Sequence, residues 1–194
     1  AGSLKDDVWL PSIGLNLKAT PDILLYAKAS QGYQAPGFNF APGPFVGADI
    51  FDAEKLWAYE AGIKSQFLDR RATLNVAGFY YDYTSIQIRS VTAPGVTTVD
   101  NAASATLKGI EAELTIRPTE AFTLSGQVAY VDARYGAFSQ PISAGTPQAN
   151  DPSCATGIAD RSGNRLNQAP KWSGGVNLNY EAPVTANATL KANV

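Results

Sequence analysis

The sequence has no histidine and a single cysteine, Cys154. Without imidazole there is no Ser-His or Cys-His general base, no His-ligated zinc and no proton shuttle of that type. One cysteine excludes an internal disulfide and a cysteine-rich metal site. Charge is also scarce: Asp, Glu, Lys and Arg make up 16% of the 194 residues, against roughly a quarter in ordinary domains. The 15 basic and 17 acidic residues leave a net charge of −2, and no basic block extends beyond Arg70-Arg71. A nucleic-acid partner has no electrostatic footprint here. No apolar run approaches the roughly 18 residues of a spanning helix. The opening Ala-Gly-Ser-Leu-Lys-Asp-Asp lacks the apolar stretch of a secretion signal. A spanning β-barrel passes all these exclusions, because its strands need no unbroken apolar run.

What the sequence does have is alternation with a period of two. Trp57, Tyr59, Ala61, Ile63 and Phe67 oppose Ala58, Glu60, Gly62, Lys64 and Gln66. Leu74, Val76, Gly78 and Tyr80 oppose Asn75 and Tyr81, and Ile110, Ala112, Leu114 and Ile116 oppose Glu111, Glu113 and Thr115. Phe122, Leu124, Val128 and Tyr130 oppose Thr123, Ser125 and Gln127. Trp172, Val176, Leu178 and Tyr180 oppose Ser173, Asn177 and Asn179. Segments 13–18 and 190–194 behave alike. Each is rich in Thr, Tyr, Val and Ile and bounded by Gly, Pro, Asn or Asp, as strands are.

Connections alternate in length. Short ones are expected at 19–22, 68–71 and 118–121, with a slightly longer one at 181–188. Long ones are expected at 34–53, 91–97 and 136–166. Short turns therefore gather at one end and long loops at the other. Aromatics mark both ends: Phe67, Phe122 and Tyr180 beside the short turns, and Trp57, Tyr59, Tyr83, Tyr130, Tyr135 and Trp172 towards the long loops. Two aromatic belts around an apolar band describe an outer-membrane barrel. A soluble β-sandwich also alternates, but its strands average about five or six residues.

Several stretches carry a family likeness in order. They are Tyr26-Ala-Lys-Ala-Ser-Gln-Gly-Tyr-Gln-Ala-Pro-Gly-Phe-Asn39, then Glu54, then Tyr59-Glu60-Ala-Gly62-Ile-Lys64. Leu74-Asn-Val-Ala-Gly-Phe79-Tyr80-Tyr-Asp82-Tyr83, Asn101-Ala-Ala-Ser-Ala, Gly109-Ile-Glu111-Ala-Glu113 and Ala169-Pro170 follow. With them the chain resembles the C-terminal part of the TonB-dependent receptor barrel of the Gram-negative outer membrane. The resemblance implies an all-β, antiparallel up-and-down meander: about eight strands of a 22-stranded barrel. All of 1–194 would belong to that one barrel domain, with the plug domain and the final strand lying outside it. It also implies uptake of a scarce ligand of the siderophore, cobalamin, haem or oligosaccharide class. The implied partners are outer-membrane lipid, the plug of the same parent chain, and TonB through a region absent from these residues. No enzymatic activity, cofactor or metal is expected.

The residues sort accordingly. Trp57, Tyr59, Phe67, Phe122, Tyr130, Trp172 and Tyr180 are expected to face lipid as belts. Glu60, Lys64, Glu111, Glu113, Asn177 and Asn179 are expected to face the lumen or plug. Glu60 and Lys64 lie about 13 Å apart along one strand face, too far to pair directly. Tyr33, Gln34, Phe38, Asn39, Arg89, Asn101 and Arg134 are candidate ligand contacts near the outer mouth, because aromatic and amide groups on loops suit flat or sugar-like ligands. Phe40, Phe45 and Phe51 extend that loop. Glu111 and Glu113 share a strand face, so a glycosidase pair is loosely compatible. A polar lumen stripe explains them more simply. Asp160-Arg-Ser-Gly-Asn164 is similar to a calcium loop but lacks the remaining ligands. A passive eight-stranded barrel and a soluble carbohydrate-binding protein or glycosidase are the competing readings.

Overall fold

A computed structural model describes residues 4–39, 49–93, 96–141 and 158–194. Eight strands form one antiparallel sheet in which each neighbours the next in sequence. They are β1 (Ser12–Thr20), β2 (Ile23–Gln34), β5 (Glu54–Phe67), β6 (Ala72–Ala93), β7 (Val96–Ile116), β8 (Phe122–Tyr135), β11 (Trp172–Thr185) and β12 (Ala188–Asn193). Two small hairpins stand apart: β3 (Gly37–Asn39) with β4 (Asp49–Phe51), and β9 (Ser139–Pro141) with β10 (Ile158–Asp160). β1 and β12 are the sheet's two edges. The sheet is open, as expected of a segment of a larger barrel, and the self-closure that the competing eight-stranded barrel requires does not occur between the described strands.

The meander follows from the turns. Pro21-Asp22 and Ala186-Asn187 join β1 to β2 and β11 to β12. The second of these is tighter than the loop expected at 181–188, because the β11–β12 ladder runs down to Thr185↔Ala188. The turn after β5 places Leu68, Asp69 and Arg70 at φ of 54°, 53° and 65°. Three consecutive left-handed residues reverse the chain within four positions. At the other end, β6 and β7 run on as a paired hairpin through Val91↔Thr97. The loop expected at 91–97 is mostly strand, since its Val and Thr content suits an extended ladder.

Among the described residues no second layer covers this sheet. Among the described residues only Ala72, Ala77, Ala105, Ala133 and Ala159 form a buried apolar set, and no large side chain is fully buried. Ile13, Leu15 and Val176 remain 74%, 71% and 77% exposed. A soluble domain of this size places its apolar face against another layer. A sheet that leaves Leu, Ile, Val and Trp uncovered along one face needs an apolar solvent, and lipid is one. The soluble β-protein expectation fails on this point.

Candidate functional site

Register assigns every strand residue to one of two faces, because directly paired residues share a face and neighbours alternate. On one face, Tyr59 pairs with Tyr80, Ile63 with Val76, and Leu74 with Leu114. Leu114 pairs in turn with Gly126, Val128 with Gly174, and Phe122 with Tyr180. The seven residues expected from sequence to face lipid, Trp57, Tyr59, Phe67, Phe122, Tyr130, Trp172 and Tyr180, share this face. Trp57 stacks on Tyr59 at 6.0 Å, Tyr130 meets Trp172 at 4.9 Å, and Phe122 meets Tyr180 at 4.7 Å. Tyr59–Phe67, Tyr130–Phe122 and Trp172–Tyr180 are each eight residues apart. That is about 26 Å along a strand, close to the ~25 Å apolar band of such barrels before tilt is allowed for.

Tyr80 joins this belt beside Tyr59 at 6.4 Å. Tyr83 and Tyr135, expected among the belt aromatics, do not. Tyr83 pairs with Leu56 and Ala105, and Ala105 with Tyr135, which puts both tyrosines on the opposite face.

That opposite face holds Glu60, Lys64, Glu111, Glu113, Asn177 and Asn179 together. Lys64 pairs with Asn75, Asn75 with Glu113, and Glu113 with Gln127. Asn177 pairs with Ser125, which pairs with Thr115. A cavity of about 680 Å³ opens on this side, lined in part by Tyr26, Glu60, Lys64, Glu111 and Glu113. Asn75 donates to Glu113 Oε2 at 3.5 Å, a marginal bond. Asn179 donates to Asn177 Oδ1 at 2.8 Å, and Asn193 donates to Asn179. Carboxylates and amides here are spread along an open wall, as a lumen stripe is.

Tyr26 is the residue sequence reading missed. It pairs with Gly62, midway between Glu60 and Lys64. Its hydroxyl donates to Glu60 Oε1 at 2.6 Å, and Lys64 Nζ sits 5.6 Å from its ring centroid. The two charges too far apart to pair directly are thus linked through one ring. Gly62 permits this, since a Cβ there would lie 2.7 Å from Tyr26 Cε1 and 2.6 Å from the Val76 carbonyl oxygen. Tyr26→Phe should cost about 1 kcal/mol of barrel stability, the net worth of one such bond. The cost should vanish in a Glu60→Ala background, measured by denaturant unfolding. An undiminished cost there would mean that the hydroxyl acts elsewhere.

The mouth candidates separate. Tyr33 donates to an Asp6 carboxylate oxygen, which pushes its phenol up to about 12. Phe38 sits half-buried in the β3–β4 hairpin opposite Ile50, and Arg89 is exposed opposite Val99. Gln34, Asn39 and Asn101 are each hydrogen-bonded within the chain. Arg134 shares the face of Tyr130, one level above the belt. It is ion-paired to Asp132 at 3.0 Å and donates to Gly163 O at 3.0 Å. It therefore lies on the face of the aromatic belts rather than on the face of Glu60 and Glu113. Phe40, Phe45 and Cys154 lie outside the described residues.

Comparisons with known proteins agree with this geometry. A family model described as "TonB dependent receptor-like, beta-barrel" matches residues 1–192. The metal-pseudopaline receptor of Pseudomonas aeruginosa is 31% identical over 123 residues, covering 63% of this chain and 16% of that protein. The pesticin receptor of Yersinia enterocolitica is 32% identical over 129 residues, covering 66% of this chain and 19% of that protein. The chain thus spans less than a fifth of these relatives' length. Among solved structures, the ferric yersiniabactin uptake receptor of Yersinia pestis superposes with a TM-score of 0.69 at 23% identity, over 94% of this chain and 24% of that one. The siderophore receptor PiuA of Acinetobacter baumannii gives 0.64 at 20% identity, over 94% and 25%. These are receptor barrels rather than enzymes. An eight-stranded wall with one apolar face, one polar face and a matching family model has one assignment: the chain belongs to the TonB-dependent receptor-like β-barrel family, whose barrels lie in the outer membrane of Gram-negative bacteria.

Proposed function

We propose that this chain is a wall segment of an active uptake receptor for a scarce metal chelate. The observation that carries the reading is the two-faced single sheet: an uncovered apolar face between aromatic belts, backed by a polar face. Lipid covers the first. The second, with Glu60, Lys64, Glu111, Glu113, Asn177 and Asn179, lines the lumen and meets a plug domain of the same parent chain. Short turns at one end and long excursions at the other orient the wall, since such barrels keep short periplasmic turns and longer extracellular loops. Tyr33, Phe38 and Arg89 then stand at the external mouth. Transport is driven by TonB in the parent receptor and involves no bond chemistry in this segment. Relatives named as receptors for a metal–pseudopaline complex and for ferric yersiniabactin favour a metal chelate over a sugar or cobalamin.

The test is uptake by cells expressing the whole receptor under iron limitation, using a panel of radio-iron complexes of phenolate, catecholate and hydroxamate siderophores. Accumulation of one class that stops when TonB is deleted is the expected result. Uptake of none, or uptake that persists without TonB, would contradict the reading.

A further inference from the structure

The loop between β2 and β5 is tied to the β6–β7 hairpin by side-chain amides, and the ties are unusually complete. β6 and β7 keep one register from Ala72↔Ile116 to Val91↔Thr97 except at Ser85, which has no ladder partner and takes φ of 57°. The kink frees the Ser85 carbonyl, and Asn101 Nδ2 donates to it at 2.8 Å. Asn101 Nδ2 also donates to the Asp52 carbonyl at 2.9 Å, while its oxygen accepts the Asp52 N–H at 2.7 Å. Gln87, which pairs with Asn101 across the ladder, is spent in the same way. Its Nε2 donates to Ala35 O at 2.9 Å and Asp52 O at 3.1 Å, and its oxygen accepts from Gln34 at 2.8 Å. Its backbone N–H donates to Glu54 at 2.9 Å.

A third amide acts on a strand edge. β7 loses its β8 ladder above Ala105↔Tyr135, so its upper backbone groups lack a neighbouring strand there. Asn39 supplies one: its Nδ2 donates to Val99 O at 2.8 Å and its Oδ1 accepts the Val99 N–H at 2.7 Å. A carboxamide has the donor and acceptor of a peptide group, so one side chain covers that edge position in place of a strand.

We propose that Asn39, Gln87 and Asn101 form a single clasp that fixes both described ends of the β2–β5 connection, at residues 35–39 and at Asp52, to the β6–β7 hairpin as one unit. Both N–H bonds of Asn101 and of Gln87 are committed, so neither has a donor left for a ligand. They are positioning residues; Gln34 donates to Gln87, and Asn39 holds Val99 on β7. The aromatic side chains the described part of this loop still offers to a ligand are Phe38 and Phe51. That last statement rests on the uptake reading above, whereas the clasp itself does not.

Amide hydrogen exchange in the whole receptor, without ligand, tests the clasp. Asn101→Ala should speed exchange at the Asp52 amide by roughly fivefold to tenfold per bond lost. Because the clasp is one unit, it should also speed exchange at Val99, which Asn101 does not touch. Asn39→Ala should do the reverse pair, and Asn39→Asp, which keeps the acceptor for the Val99 N–H, should fall between. Amides of β5 and β6 at belt level should be unchanged, and so should heat-dependent migration of the barrel in detergent gels. Gln87→Ala provides the same test if either asparagine variant fails to assemble. Unchanged exchange at both amides, or acceleration confined to the residue directly bonded, would overturn the clasp. Uptake with the radio-iron panel separates the two claims. Faster exchange with unaltered uptake keeps the clasp and removes the loop from ligand handling, while faster exchange with reduced uptake supports both.

Discussion

Leu114→Arg should destabilise the assembled receptor by about 2–4 kcal/mol, and Thr115→Arg by less than about 1 kcal/mol. The two residues are adjacent on β7 and differ in the face they occupy. Leu114 lies in the row Leu74–Leu114–Gly126, midway between the two belts. Thr115 lies in the row Thr73–Thr115–Ser125, among the polar side chains. A guanidinium at mid-depth on the lipid face must lose its hydration, or thin the bilayer to keep it. On the lumen face it stays in water or meets a carboxylate such as Glu113. Denaturant midpoints of the receptor folded into lipid vesicles give the comparison. Equal costs for both substitutions would contradict the facing.

Gly109→Ala should cost about 1–3 kcal/mol, whereas Gly175→Ala should cost less than about 0.5 kcal/mol. Both glycines lie on the polar face. At Gly109 a methyl group would run into the carbonyl oxygen of Tyr130 on the next strand, and lie 2.6 Å from Phe79 Cζ. Phe79 is the direct register partner of Gly109, so its ring has settled into the space a side chain would fill. A ring can rotate away, but the carbonyl belongs to the ladder and cannot. At Gly175 nothing lies within 4 Å of the added carbon. The same unfolding measurement decides it. Similar small costs at both sites would mean that the β7–β8 spacing at Gly109 is looser than described.

Much of the wall was legible from sequence. In a single layer with one apolar and one polar face, facing depends on parity alone, and Leu114 and Thr115 can be sorted without knowing their partners. Parity could also have corrected two expectations. Arg134 has the parity of Tyr130, which puts it on the face of the belts, and Tyr83 has the parity of Tyr81, which puts it on the opposite face. What parity cannot supply is contact between distant segments. Tyr26 reaches Glu60 across 34 positions of sequence, and Gln87 reaches Ala35 across 52. Nothing local marks either residue. Segment 23–28 is apolar on both faces apart from Lys28, so it shows no clean alternation. The β6–β7 extension was hidden differently: Asp82, Thr84 and Ser85 break the apolar alternation of β6 before the paired segment beyond them.

The central claim is that one face of this sheet meets lipid and the other water. Single-cysteine fluorescent labels at positions 176, 177, 178 and 179 in turn, in a receptor carrying Cys154→Ser, test it most directly. Val176 and Leu178 share the face of Trp172, while Asn177 and Asn179 share the face of Glu60. Labels at 176 and 178 should be quenched by a lipid-attached quencher and spared by a water-soluble one, and labels at 177 and 179 should do the opposite. A response that does not alternate, with all four labels quenched from the same side, would contradict the account.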